Sequence, residues 1–357
     1  MSLRRLQHRK SAWAVRPNGS TWGDYGPDDQ LGRLNLITPE RRRAALAEAR
    51  EGVAFCLSLP LDLPGGNALA VSRHPPQLSP TSRPNRARPE AEPHMEIYNH
   101  RYDSERPGCT DVVSDDRVDL HLQYSTQWDS FAHFGQLFDA DGDGVEELRY
   151  YNGFQAGLEI VHHKEEGAGS SSFAYRLGID SFAESCVQGR GVLVDLGARY
   201  GRERVFVGYE ELMALLAADD VVVDAGDILC LSTGFDDLLL SMNGAPDAEK
   251  LRSSCAVLDG HDHRLLDWIT ASGIAAIVSD TNAVEGVRPD VDESAGTSLP
   301  LHEHCLFRLG VPLGEFWRLS ELAAWLRSRR RSRFLLTAPP LRLPGAVGSP
   351  VTPVATV

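Results

Sequence analysis

From residue 186 onward the chain repeats one pattern: a short apolar run, then a stretch with helical spacing. "RGVLVDLG" is followed by "GYEELMALLAADD", then "DILCLSTG", "DHRLLDWITASG", "IAAIVSD", "LSELAAWLRSRRR" and "SRFLLTA". The runs read as strands and the stretches between them as helices. One helix is expected to stop at Gly273 and another to be capped at Ser320. Strands alternating with helices restrict the chain to an α/β fold, a layered domain with a central sheet flanked by helices. Short strands upstream make that sheet mixed rather than purely parallel.

The first half is less regular. Residues 1–22 read as an irregular arm. In "DDQLGRLNLITPERRRAALAEAREG" Thr38 caps a helix, Pro39 suits its first position and Gly52 stops it. "VAFCLSLPL", "VDLHLQYST" and "GLEIVHHK" read as strands. Residues 60–110 hold nine of the 21 prolines, which predicts a structureless functional loop or linker. No composition shift follows it and no internal repeat is seen, so one domain over 1–357 is expected.

Composition narrows the function. With 50 acidic against 36 basic residues, the net charge of −14 argues against nucleic-acid binding, which needs clustered positive charge. No apolar run is long enough to cross a membrane. Six cysteines without a C-x-x-C pair read as free thiols of a reducing compartment. Met1 to Val15 lacks the apolar core of a secretory signal, so a cytoplasmic location is expected by elimination.

Two polar clusters can carry chemistry. In "LQYSTQWDSFAHFG", Gln123, Gln127 and Asp129 stand at i, i+4 and i+6, and His133 follows four residues later. On a strand running into a turn, 127 and 129 share a face. Asp and His suit Zn²⁺ or Mn²⁺, and Gln offers a neutral carbonyl oxygen. The same residues also read as a polar turn, with Asp129 capping a helix and His133 on the surface or in the core. In "LPLHEHCLFRLGVPLGEFW" the metal-capable groups are His302, His304 and Glu315. The two histidines share a face if the backbone is extended. Read blandly, they are an interfacial pair with a helix-entry Glu. Asp280 and Glu285 lie in "VSDTNAVEG", at the C-terminal end of a strand, where α/β proteins place ligands.

"DADGDGVEE" matches the first half of a calcium loop through Asp139, Asp141, Asp143 and Gly144, but Tyr150 stands where a bidentate Glu is required. It reads as an acidic surface turn, with calcium the lesser alternative. The "HHK" at 162–164 reads as a strand face. The chain has no G-x-S-x-G, phosphate loop or dinucleotide fingerprint, which removes serine α/β-hydrolases and most nucleotide enzymes.

These motifs, in this order, resemble the metal-dependent hydrolases called the cyclase family, which includes bacterial kynurenine formamidase, isatin hydrolase and a trans-dienelactone hydrolase. "WGDYGPDDQLGRLNLITPE" resembles the entry segment of the longer subfamily. "STQWDSFAHFG" falls where the family carries H-x-G-T-H-x-D-x-P-x-H. "LLDWITASGIAAIVSDTNAVE", "LHEHCLFRLGVPLGEFWRLSELA" and "PPLRLPGAVGSPVTPVA" match its middle and end.

The resemblance implies a swivelling β/α/β-like fold and one divalent ion, Mn²⁺ or Zn²⁺, with Mg²⁺ also suited. It implies metal ligands at Asp129, His302 and Glu315, with His302 preferred to His304 because it follows "PL". Gln123 and Gln127 replace the two signature histidines, as in a Q-x-x-x-Q-W-D branch, which makes the site richer in oxygen. His133 takes the acid/base role. Trp128 and Phe131 are expected to wall a planar substrate or to pack in the core, and Asp280 or Glu285 to contact substrate or orient a ligand. The implied reaction is hydrolysis of a cyclic amide, lactone or aryl formamide. A biosynthetic cyclase, dehydratase or isomerase is the first rival, and a metal-free binding protein the second. The expected partners are a small-molecule substrate and further copies of the chain, as a dimer or tetramer.

Overall fold

The apolar runs pair with one another, as burial on both faces requires. A computed structural model of the chain describes residues 13–85, 89, 90, 92, 94–162, 172–288 and 296–357. Among these, nine strands form one mixed sheet. They are β1 (Ala54–Cys56), β2 (Gln127–Asp129), β3 (Gln188–Asp195), β4 (Ile228–Ser232), β5 (Ala276–Ser279), β6 (Leu313–Glu315), β7 (Arg333–Thr337), β8 (Gly348–Pro350) and β9 (Val354–Thr356). The order is β1-β9-β7-β3-β4-β5-β6-β2-β8. The middle four, β3 to β6, run parallel. The outer strands pair antiparallel. Every residue of β4 and β5 is buried, as expected of strands covered on both faces.

The flanking helices include α1 (Pro39–Leu46), α2 (Tyr209–Ala218), α3 (Phe235–Leu240), α4 (His263–Ser272) and α5 (Ser320–Ser328). Thr38 caps α1, its hydroxyl accepting from the Arg41 N–H at 3.3 Å. That helix ends at Leu46, and Gly52 serves instead as a turn at φ +68° leading into β1. Gly273 ends α4 at φ +69°, as its sequence predicts. Ser320 is not a cap. It is the first residue of α5, and the cap comes from α3: Asp236 accepts from both the Ser320 N–H and its hydroxyl.

Two expectations for the first half are corrected. In 118–126 only Val118 and Asp119 belong to a strand, Asp116–Asp119, which is exposed at all four positions, and the residues after it turn. Side chains pin that turn: the Tyr124 hydroxyl donates to Gly66 O, and the Thr126 hydroxyl accepts from the Leu59 N–H. The Pro-rich segment is not structureless. Gln77–Pro84 pairs antiparallel with His94–Ile97 along one half and with Asp116–Asp119 along the other. Prolines fit because each half has a single partner, leaving one side without ladder bonds. Residues 1–12 of the arm, His163, Lys164 and parts of the Pro-rich segment lie outside the described residues.

The segment around Gly32 is clamped to the stretch that carries His302. Gly32 and Gly310 meet back to back at φ +52° and +59°, and a Cβ on Gly32 would overlap the Gly310 carbonyl. The Arg33 N–H donates to that carbonyl at 2.7 Å. The Arg33 guanidinium donates to the Ile269 and Thr270 carbonyls at the end of α4. Gly32→Ala is expected to destabilise the protein by about 2 kcal/mol. An unchanged urea midpoint would show that the close approach does not constrain the fold. Among the described residues, no helix is long and apolar enough to cross a membrane.

Candidate metal centre

Strand register builds the site. β2 runs antiparallel to β6 with Gln127 opposite Glu315 and Trp128 opposite Gly314. Side chains alternate along a strand, so Gln127, Asp129 and Glu315 share one face and Trp128 takes the other. The Gln127 amide donates to Asp129 Oδ1 and Glu315 Oε2, each at 3.3 Å. On the other side, β8 places Gly348 opposite Asp129. With no side chain there, the Gln123 amide fills the space, and a Cβ on Gly348 would overlap it.

His302 completes the group. Pro300 opens a short helical stretch, Pro300–His302, that continues into a π-helical stretch, Glu303–Leu309. His302 Nε2 lies 3.5 Å from Glu315 Oε1. Its Nδ1–H donates to Glu285 Oε1 at 2.7 Å, and the same oxygen accepts the His302 backbone N–H at 2.8 Å. Glu285 Oε2 accepts from the Leu301 N–H at 2.9 Å. Asp129, His302 and Glu315 thus form a buried group that can hold a metal ion, their ligand atoms within 4.8 Å of one another. His133 stands at the edge. Its Nε2 is 3.9 Å from Asp129 Oδ1, and its side chain is 25% exposed against 1% for Asp129.

Burial pushes the Asp129 carboxyl above the usual range, and nearby Glu315 adds to the effect. Burial acts on Glu315 in the same way, but the hydrogen bond and charge of His302 outweigh it and hold that carboxyl low. Burial opposes protonation of His302. Its bonds to Glu285 and Glu315 prevail and lift its pKa to about 10. Two acceptors, Gln127 Oε1 and Asp129 Oδ2, are buried with no hydrogen-bond partner among the described residues. Such acceptors are costly unless something satisfies them. A cation does so without a proton, and one imidazole with three oxygens suits a divalent transition metal.

The remaining candidates lie elsewhere. His304 does not share a face with His302: the backbone is helical, so residues two apart point to different sides. Its Nε2 is 2.9 Å from the Thr270 hydroxyl, and burial pulls its pKa down to about 4. Trp128 packs edge-on against Trp317 and donates its indole N–H to Ala338 O. Phe131 packs against Tyr151 and Phe182. Both are core residues. Asp280 is fully buried, and its carboxylate accepts from the Thr233, Gly234 and Phe235 N–H groups and the Thr233 hydroxyl, anchoring the start of α3. Glu285 grips His302. In the acidic turn, Asp139 accepts the N–H groups of Gly142, Asp143 and Gly144.

Sequence reasoning missed Arg73. Its guanidinium donates to Gln123 O at 2.7 Å, and its charge acts on the Asp129 and Glu315 carboxyls. No motif marks it, because it lies 50 residues upstream of the residue it holds.

Residues 57–286 match the Cyclase family model. A solved structure described as that of a novel cyclase aligns at 30% identity with a TM-score of 0.72, over 96% of this chain and 100% of that one. Isatin hydrolase A from Ralstonia solanacearum shares the fold at 13% identity and a TM-score of 0.51, over 88% of this chain and 94% of its own. Isatin hydrolase A from Labrenzia aggregata, bound to benzyl benzoate, does so at 12% and 0.52, over 85% and 93%. No curated protein sequence matches the chain. Family model, full-length structural match and buried donor cluster agree: the chain belongs to the cyclase family.

Proposed function

We propose that the protein is a metal-dependent hydrolase that opens a cyclic amide, a lactone or an aryl formamide. The observation that carries this reading is the buried trio Asp129, His302 and Glu315, beside two acceptors that have no donor. These three would hold one divalent ion, Mn²⁺ or Zn²⁺ (with Mg²⁺ also suited), and the free oxygen of Gln127 would join them. Gln123 lies beside Asp129 and lines the same face. A divalent ion bound there supplies Lewis-acid polarisation of a carbonyl and acidifies water.

The chain's own groups do the rest. Glu285 fixes the His302 ring with Nδ1 protonated, which leaves Nε2 facing Glu315. Gln127 keeps the two carboxylates apart by donating to both. His133, partly exposed beside Asp129, takes a proton from water at Nε2 and returns it to the leaving nitrogen or oxygen. Asp129 holds the resulting imidazolium in place. The substrate is a small molecule. The protein acts as a homo-oligomer, a reading supported by Leu78 and Val118, exposed on paired strands of the Pro-rich segment and its partner.

His133→Ala is expected to keep the metal, measured by titration calorimetry with Mn²⁺. It should lose about 10²- to 10⁴-fold in turnover against a panel of lactones, cyclic imides and N-formyl anilines. Full turnover in this variant would remove His133 from the reaction. If the wild-type protein, loaded with Mn²⁺ or Zn²⁺, turns over none of the panel, the hydrolase reading is wrong.

A further inference from the structure

Arg73 enters the site from the segment between β1 and β2. One of its nitrogens is fixed on the Gln123 carbonyl at 2.7 Å. It forms no ion pair among the described residues, although it is only partly exposed. The guanidinium therefore keeps N–H donors free. It lines a cavity of about 10 Å³ with Gln123, Tyr124, Asn282 and Phe316. That is room for one water-sized group, such as a single carboxylate oxygen of a ligand whose body lies outside the cavity. Gln123 locates the cavity beside the metal-capable trio: its side chain lies over Gly348, opposite Asp129.

A guanidinium is a poor neighbour for a cation, because like charges repel. It is a good neighbour for a ligand oxygen that carries negative charge, which it binds in a planar, charge-assisted contact. We propose that Arg73 is a specificity-determining residue that binds a carboxylate of the ligand, so that the site takes small carboxylate-bearing molecules. The exposed Asn282 amide lies on the same cavity and adds neutral donors. The effect of the Arg73 charge on Asp129 and Glu315 fits this placement. The inference rests on the hydrolase reading for its reaction, but the anion contact is testable by itself.

The test is calorimetric titration of the full chain with benzoate and with benzamide, its neutral analogue. Each titration is run with and without Mn²⁺, on wild type, Arg73→Gln and Arg73→Lys. Benzoate is expected to bind wild type in preference to benzamide and to weaken about tenfold or more in Arg73→Gln. Arg73→Lys should recover part of that loss, and benzamide and Mn²⁺ binding should not weaken. Equal benzoate affinity in wild type and Arg73→Gln, or no benzoate binding by wild type, overturns the proposal. Failure of wild type to bind Mn²⁺ counts against the hydrolase reading, and the metal-free benzoate comparison then still decides the role of Arg73.

Discussion

Asp129→Asn protein is expected to bind Mn²⁺ more than about 100-fold more weakly than wild type, yet to be more stable when no metal is present. Both effects come from one side chain. Asp129 is fully buried, has one oxygen without a hydrogen-bond partner, and lies close to the Glu315 carboxylate. Holding a charge there costs folding energy that only a cation returns. Replacing it with an amide removes the repulsion and should raise metal-free stability by about 1 kcal/mol. Urea melts with and without Mn²⁺ check this. The wild-type midpoint should rise on adding Mn²⁺, and that of Asp129→Asn should not move. A metal-free variant less stable than wild type would mean that Asp129 serves the fold and not a ligand.

Glu285→Ala is expected to lower stability by about 3–5 kcal/mol. One carboxylate accepts the Leu301 N–H, the His302 N–H and the His302 ring N–H, and all three lie buried. Its removal leaves three donors without an acceptor and frees the ring. Metal affinity should then fall about 10- to 100-fold, as it does when a group that orients a ligand is lost. The two effects separate in the assay. A large loss of stability with unchanged Mn²⁺ affinity would confine Glu285 to holding the Pro300–His302 stretch. Loss of both supports His302 as a ligand held in one orientation.

The strands and helices of the second half were legible because each apolar run is buried on both faces, and burial leaves a mark in composition. Asp129 and His133 were legible because they fall within one short polar cluster. Glu315 was visible as a residue type, but its place opposite Gln127 depends on pairing two strands that no local pattern connects. The histidine pair shows how spacing misleads: residues 302 and 304 share a face on a strand and part on a helix. Pro300, which favours a helix start, was the cue that the backbone is helical. The alternation that puts Gln127 and Asp129 together also sends Trp128 to the opposite face and into the core. Asp280 sits where ligands are often bound, at a strand end, but the backbone of α3 has taken its oxygens. The run at 118–126 alternates like a half-buried strand. Its only strand portion is exposed, because the side chains that follow are pinned by contacts with residues 59 to 66.

The pairing of Gln127 with Glu315 joins residues 188 apart in sequence. Gly348, which leaves the space for Gln123, comes later still, and β9 pairs with β1, Thr356 opposite Ala54. Contacts of such long range form late, because closing the intervening loop costs entropy before any contact rewards it. During synthesis the ligand-bearing strands therefore exist for most of the time without their partners. An ion bound at this site would not act as a nucleus for folding, as it does in small metal-dependent domains. It would be captured by a sheet already assembled, so which metal entered would be set by what the finished protein meets.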